Sequence, residues 1–413
     1  IIIIKKHQEE GLKWLIDSYN LGMPGVLMAD DMGLGKTLQS LAFLSILKQD
    51  EIISEKKPIL IVAPVSLLQN WEDEHNKHLI NRGLGLLCRL YGNSLKQFKT
   101  SKGNDIINGK STLDIEELYT FDWLLTTYET LRDYSTSLAE INFSCVVFDE
   151  IQKAKNPRSL LTKTTKIINT DFAIGLTGTP VENTLADLWQ ILDILSPARL
   201  PFTLKSFMEE YPEDNIEKLK ELSKTLLEPS PKRPAFVLRR MKDEVIKDDL
   251  PEKTLVNSSE TTMLMDSLQN DAYSNAHNNL KSDQISTIQA IHQFRTISLH
   301  PMPEQADKLS IDDFINSSAR MKITFTELDK IKQKNEKVLI FLERRLMQPI
   351  LAGVLREKYK MNHTPLIING LVKGSARQDY VNNFQTSPLG FDVMILSPKA
   401  GGVGLTLTAA NHV

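Results

Sequence analysis

At 413 residues the chain is long enough for two or three domains, each with its own core. Lys and Arg number 49 against 52 Asp and Glu, a net charge of −3 that excludes a global basic field and confines any nucleic-acid contact to local patches. Two cysteines, Cys88 and Cys145, exclude a disulfide framework and fit a reducing compartment, and no apolar run approaches the roughly 18 residues of a membrane span.

The opening IIIIKK lacks the shape of a signal peptide and starts without Met, so the chain is expected to be a fragment. In KHQEEGLKWLIDSY, Leu12, Leu15, Ile16 and Tyr19 recur at helical spacing and predict an amphipathic helix. The runs GVLMADD, PILIVAPVS, DWLLTTYE, SCVVFDE and FAIGLTGTP follow, each ending in polar or glycine-rich residues. Such continuous apolar runs predict strands buried on both faces of a parallel sheet. Helical stretches between them, such as KTLQSLAFLSILK, predict an α/β lobe. His75 and His78, three apart in WEDEHNKH, read as a solvated helix face rather than a metal-ligand pair.

Residues 185 to 330 are more polar and predict mainly helix, as in LADLWQILDIL and TTMLMDSLQNDAYSNAHNNL. After residue 336 the alternation returns, with KVLIFLE, PLIING and FDVMILSPKAGG as strands and RRLMQPILAGVLREKY and ARQDYVNNFQ as helices. Two α/β lobes with helical insertions are expected.

Three stretches carry chemistry. ADDMGLGKTLQS, residues 29–40, departs from the phosphate-loop pattern G-x-x-x-x-G-K-[ST] by placing Asp30 at the first glycine. Gly33 and Gly35 still allow the backbone to curl around phosphate, with Asp31 and Met32 leading into the curve. Lys36 supplies charge for the β- and γ-phosphates, and Thr37 a hydroxyl for Mg²⁺. CVVFDEIQ ends a strand in Asp149 and Glu150, where a Mg²⁺-holding Asp and a water-activating Glu belong. Read alone, that pair also suits a helix N-cap; paired with the phosphate loop it makes a Walker A/Walker B set. LTGTPVEN is either a plain Thr/Gly/Pro turn or a segment touching both nucleotide and a moving partner.

In order, HQEEGLKWL, DDMGLGKT, APVSLLQNW, TTYETL, DEIQKAKN, LTGTPVEN, LRRMKDEV, KVLIF and ILSPKAGGVGLTLTAA resemble the motifs of the Swi/Snf-type DNA translocase ATPases of helicase superfamily two, from residue 5 to the end. The resemblance implies two RecA-like lobes with parallel sheets flanked by helices: residues 1–235, with a helical insertion, and residues 236–413, with an insertion at about 255–330. It makes Asp30 a family trait. It implies that Gln8 reads the adenine edge, that Thr37 and Asp149 hold Mg²⁺, and that Lys36 and Glu150 serve hydrolysis. Ser66, Thr126, Thr127 and Lys155 would meet DNA on the first lobe, and Thr177, Thr179 and Asn183 would couple hydrolysis to DNA grip. Gly401, Gly402 and Gly404 would face ATP from the second lobe. Arg377 matches a recurring arginine, though a surface salt bridge accounts for it equally well.

The acidic box departs from the family in Ile151 and Gln152, the "CNHP"-like turn reads SLHP, and Leu342 and Glu343 follow KVLIF. The chain stops at Val413, before the arginine motif that supplies a finger to the γ-phosphate, so by itself it is expected to be weakly active. The basic clusters QKAKNPR and LRRMK are either phosphate contacts or solvated faces.

The resulting expectation is a DNA-stimulated ATPase using ATP and Mg²⁺, translocating on double-stranded DNA without base specificity and displacing bound proteins. Protein partners would attach through flanking regions, and no membrane is involved. A strand-separating helicase or restriction-type motor, and a nucleotide-gated binding module without turnover, are the alternatives. Remodelling, transcription, repair and anti-phage defence all use such an engine. The compact connections favour a prokaryotic, cytoplasmic, nucleoid-associated setting, or a nuclear one in a eukaryote.

Overall fold

A computed structural model describes residues 4–49, 57–79, 83–103, 105–107, 109–156, 159–180, 184–197, 203–247, 253–256, 261–305, 308–372, 374–398, 405 and 407–413. The chain divides into two compact units, Ile1–Pro251 and Glu252–Val413.

In the first unit the strands of the main sheet are β1 (Gly25–Met28), β2 (Ile59–Ala63), β3 (Leu87–Leu90), β4 (Trp123–Thr127), β5 (Cys145–Asp149), β6 (Ala173–Leu176) and β7 (Val237–Leu238). They form one parallel sheet in the order β7-β1-β6-β5-β2-β4-β3. Every residue of β1, β2, β4, β5 and β6 is buried, as expected of strands covered on both faces. The register pairs Met28 with Leu176 and Leu176 with Asp149. The segments after β1, β6 and β5 therefore leave the carboxyl edge side by side, where ligands of open α/β sheets bind.

Helices α1 (Lys6–Asn20) and α2 (Lys36–Gln49) pack on this sheet, α2 burying a continuous run from Leu38 to Leu44. Tyr19, Phe43 and Phe172 meet edge-on and tilted, with ring centroids 5.6–6.0 Å apart. The Trp14 indole donates to the Ala235 carbonyl at 2.8 Å, tying α1 to the approach to β7. Helices α3 (Leu68–His78), α4 (Tyr128–Asp133), α5 (Leu160–Lys166) and α6 (Leu185–Leu195) follow the strands they connect. The first unit reaches further than the 1–235 expected from sequence. Backbone pairing of β7 with β1 joins Val237 and Leu238 to the sheet of the first unit.

The second unit begins with α7 (Ser267–Lys281), α8 (Thr287–Leu299) and α9 (Ala319–Lys334). Its core strands are β8 (Lys337–Phe341), β9 (Leu366–Ile368) and β10 (Asp392–Leu396), parallel in the order β8-β10-β9. Between them lie α10 (Met347–Tyr359) and α11 (Gly374–Thr386). Val338, Val393 and Ile395 pack with Phe325, Leu351 and Leu355 on one face, while Leu339, Met394 and Leu396 pack with Phe384 on the other. That is the two-residue alternation of a strand.

Helix in TTMLMDSLQ begins only at Ser267, because Asp266 caps it by accepting from the Gln269 N–H at 2.9 Å. The buried Gln269 side chain then donates to the Ile297 carbonyl at 2.8 Å and accepts from the Ala319 N–H at 3.0 Å, joining three helices. No helix of the described residues is long and apolar enough to cross a membrane.

Candidate nucleotide site

The loop between β1 and α2 takes its shape from two glycines in the left-handed region, Gly33 at φ 86° and Gly35 at φ 81°. A Cβ at Gly35 would collide with the Gln8 amide nitrogen, and one at Gly33 would lie 2.9 Å from Lys242 Nζ. The Leu34 carbonyl faces Nε2 of His7 at 3.2 Å and accepts from the amides of Gln8 and Gln39 at 3.4 and 3.2 Å. Lys36 opens α2 and donates to the carbonyls of Asp30 at 2.8 Å and Asp31 at 3.4 Å. Burial lowers its pKa, against the raising pull of Glu150, Asp149, Asp30 and Asp31. Beside the loop, Lys5, Lys6, His7 and Glu10 of the α1 end face Val245 and Ile246 across a cavity of about 510 Å³.

Asp30 is fully buried, and its two oxygens receive Arg240 Nε at 3.1 and 3.2 Å and the adjacent terminal nitrogen at 2.5 Å. Arg240 also donates to the His7 carbonyl and, at 3.0 Å, to Gln39 Oε1. Around this pair, Arg239 donates to the Ala29 carbonyl at 3.0 Å, Asp31 N–H to the Arg240 carbonyl at 3.0 Å, and Lys242 N–H to Asp31 Oδ2 at 3.0 Å. Asp30 stands where a glycine is usual because its carboxylate bolts the segment after β7 onto the loop. LRRMK was expected to offer phosphate contacts or a solvated face; instead its second arginine turns inward.

At the end of β5, Asp149 Oδ2 accepts from the buried Trp71 indole at 2.8 Å, and its backbone carbonyl accepts from the Tyr128 hydroxyl at 2.8 Å. Burial raises the Asp149 carboxyl to about 6; the Trp71 hydrogen bond opposes this, Glu150 adds to it and Lys36 opposes it. Burial also holds the Tyr128 hydroxyl well above its ordinary value, so it stays a donor. Glu150 sits in the left-handed region at φ 53°, which turns its side chain off the strand direction. Gln152 Nε2 donates to Glu150 Oε2 at 2.5 Å, while Gln152 Oε1 is buried with no hydrogen-bond partner among the described residues.

Of the remaining residues singled out from sequence, Thr177 is buried at the end of β6 and accepts from the Thr179 N–H at 3.0 Å. Met32 lies against Gly178, where a Cβ would stand 2.9 Å from its Cγ, so this turn touches the phosphate loop directly. Ser66 lies in the short turn after β2, with its hydroxyl oxygen buried and unpaired among the described residues. Arg377 donates to the Val372 carbonyl at 3.4 Å.

Thr126 and Thr127, expected to track a DNA strand, are both buried. Thr126 is buried in the sheet and donates to the Leu90 carbonyl at 2.7 Å. Thr127 is the buried N-cap of α4, accepting from the Thr130 N–H at 3.0 Å. Lys155 pairs with Asp187 at 3.2 Å. Asn183, Gly401, Gly402 and Gly404 lie outside the described residues. Trp71, Tyr128 and Arg240 went unassigned, although each stands in a segment that carried the resemblance. For Tyr128 the available signal was a phenol directly after a buried apolar strand; Trp71 lies within α3 and carried no such signal.

Residues 7–320 match the family model of the SNF2-related domain. The Zorya protein ZorD of Escherichia coli O139:H28 is 36% identical, over 100% of this chain and 39% of its own length. Chromodomain-helicase-DNA-binding protein 8 of Danio rerio is 28% identical, over 99% of this chain and 16% of its own. The chain thus spans well under half of these relatives. Among solved structures, the Sulfolobus solfataricus SWI2/SNF2 ATPase core in complex with dsDNA is 26% identical, with a TM-score of 0.49 over 99% of this chain and 81% of that one. With a glycine-rich loop and an acidic pair on one sheet edge, one strand apart, and a family match over most of its length, the chain belongs to the SNF2-related family as an ATPase core.

Proposed function

We propose that this chain is a DNA-stimulated ATPase that moves along double-stranded DNA and displaces proteins bound there. The observation that carries the proposal is the convergence of the phosphate loop, Lys36, Asp149 and Glu150 on the carboxyl edge formed by β1, β6 and β5. Lys36 would leave its loop carbonyls for the β- and γ-phosphates, and the N–H groups of Met32, Gly33 and Gly35 would cradle them. Asp149 keeps Oδ1 free of the Trp71 bond, and Thr37 offers a hydroxyl at the head of α2, a donor set suited to Mg²⁺. When bound, Mg²⁺ would neutralise phosphate charge. Glu150 would take the proton of the attacking water, with the Gln152 amide orienting its carboxylate. Gln8, placed over Gly35, would meet the adenine edge.

DNA as the stimulating partner is supported by the Danio rerio relative, which is named a DNA-binding protein. On this chain Thr179 and Asn183 would grip the phosphodiester backbone, with no base readout. Glu150→Gln should bind ATP as wild type does and lose DNA-stimulated phosphate release by roughly 10²–10⁴-fold. Unchanged turnover would remove Glu150 from its role. Triplex displacement by the wild type without separation of a forked duplex is expected; clear unwinding would replace translocation with strand separation.

A further inference from the structure

The segment leaving β7 lies along the phosphate loop, and its last anchored residue is a lysine. Lys242 is fixed through its backbone, whose N–H donates to Asp31 Oδ2 at 3.0 Å. Arg240, two residues earlier, is clamped on buried Asp30, and Arg239 is tied to the Ala29 carbonyl at 3.0 Å. The Lys242 side chain then runs back over the loop, its Nζ 2.9 Å and Cε 3.1 Å from where a Cβ of Gly33 would stand. Among the described residues no carboxylate pairs with this ammonium. It is a half-buried cation held over the most open part of a loop whose N–H groups are suited to phosphate.

We propose that Lys242 is a second phosphate-binding cation of the nucleotide site, delivered by the Arg240–Asp30 pair; this rests on the loop binding ATP as read above. Lys36 reaches the phosphates from the α2 side, and Lys242 closes over them from the opposite side of Gly33. A glycine at position 30 would remove the carboxylate that clamps Arg240 and loosen this arrangement, leaving the segment after β7 to its backbone pairing and the contacts at Ala29 and Asp31. The aspartate in the loop thereby gains a function: it recruits a cation from a segment roughly 200 residues further along the chain.

The test is equilibrium binding of fluorescent mant-ATP and mant-ADP, each with Mg²⁺, to the full chain. Lys242→Ala should weaken mant-ATP binding roughly ten-fold, the loss of one charge-assisted contact, with Lys242→Arg recovering most of it. Lys247→Ala, a neighbouring exposed lysine, should leave binding unchanged and so separates a contact from net charge. A loss for mant-ATP alone places Lys242 at the γ-phosphate, and a loss for both nucleotides places it at the β-phosphate. Wild-type affinity of Lys242→Ala for both overturns the proposal while leaving the ATPase reading intact. Absence of binding by the wild type overturns both. Because the Lys242 side chain is only half-buried, thermal midpoints should match, confirming that folding is not what is measured.

Discussion

The two units share one grammar, parallel strands alternating with helices, yet they put their buried charges at opposite ends of it. In the first unit, Asp30 and Asp149 are buried at the carboxyl ends of β1 and β5, close to Lys36, Glu150 and Arg240. In the second, the buried Lys337 and Asp392 are the first residues of β8 and β10. Lys337 donates to the Phe384 carbonyl at 2.7 Å and to Ser387 Oγ at 2.7 Å and its carbonyl at 3.0 Å, while Asp392 faces His363 at 3.1 Å.

Among the described residues, neutral amides stand at the carboxyl edge of the second unit. Gln348 donates to the Leu342 carbonyl at 2.7 Å, and Asn369 donates to Gln348 at 2.8 Å. Charge at an amino edge is satisfied within the fold. At the carboxyl edge of the first unit it stays partly unsatisfied, as the raised Asp149 shows. A ligand can use charge of that kind.

Three substitutions break or sharpen this contrast. The largest effect is expected at Arg240. Arg240→Ala leaves the Asp30 carboxylate buried and unpaired and should cost about 3–5 kcal/mol, read as a lowered denaturant midpoint; a surface-like change under 1 kcal/mol would dissolve the buried pair.

Next is Asp149, whose carboxyl lies at about 6 in the folded chain against an ordinary 3.8. A carboxyl raised by folding binds protons more tightly when folded, so its contribution is lost as pH rises from 3.8 through 6. Above that window the ionised form costs about 3 kcal/mol. Asp149→Asn should therefore stabilise the ligand-free chain by about 2–3 kcal/mol at neutral pH, with little gain at acid pH, while abolishing Mg²⁺-dependent hydrolysis. Equal stabilisation at both pH values would remove the titration as its cause.

The smallest effect belongs to the second unit. Lys337→Met strands carbonyl acceptors rather than a carboxylate and should cost about 1–2 kcal/mol with nucleotide affinity untouched. A change in that affinity would show that its charge serves the site.

Much of this was written in the sequence, because the patterns concerned are local. Runs such as GVLM and CVVFD are too continuously apolar for a one-faced strand, and each became a fully buried parallel strand. The G-x-G-K-T spacing determined the loop, since only glycine tolerates the φ values found at Gly33 and Gly35. The order of motifs carried the family.

What only the tertiary structure decided is where side chains spend their hydrogen bonds. The hydroxyls of Thr126 and Thr127 in TTYET meet a parallel neighbour and a helix N-terminus, partners that the sequence does not name. Arg240 looks like a surface cation in LRRMK, but the pairing of β7 with β1 delivers it to Asp30. Trp71 reads as core, yet its one polar atom sits on Asp149. Periodicity reports which face of an element is buried. It is silent on the partner met there, because that partner arrives from a distant part of the chain through sheet order and register.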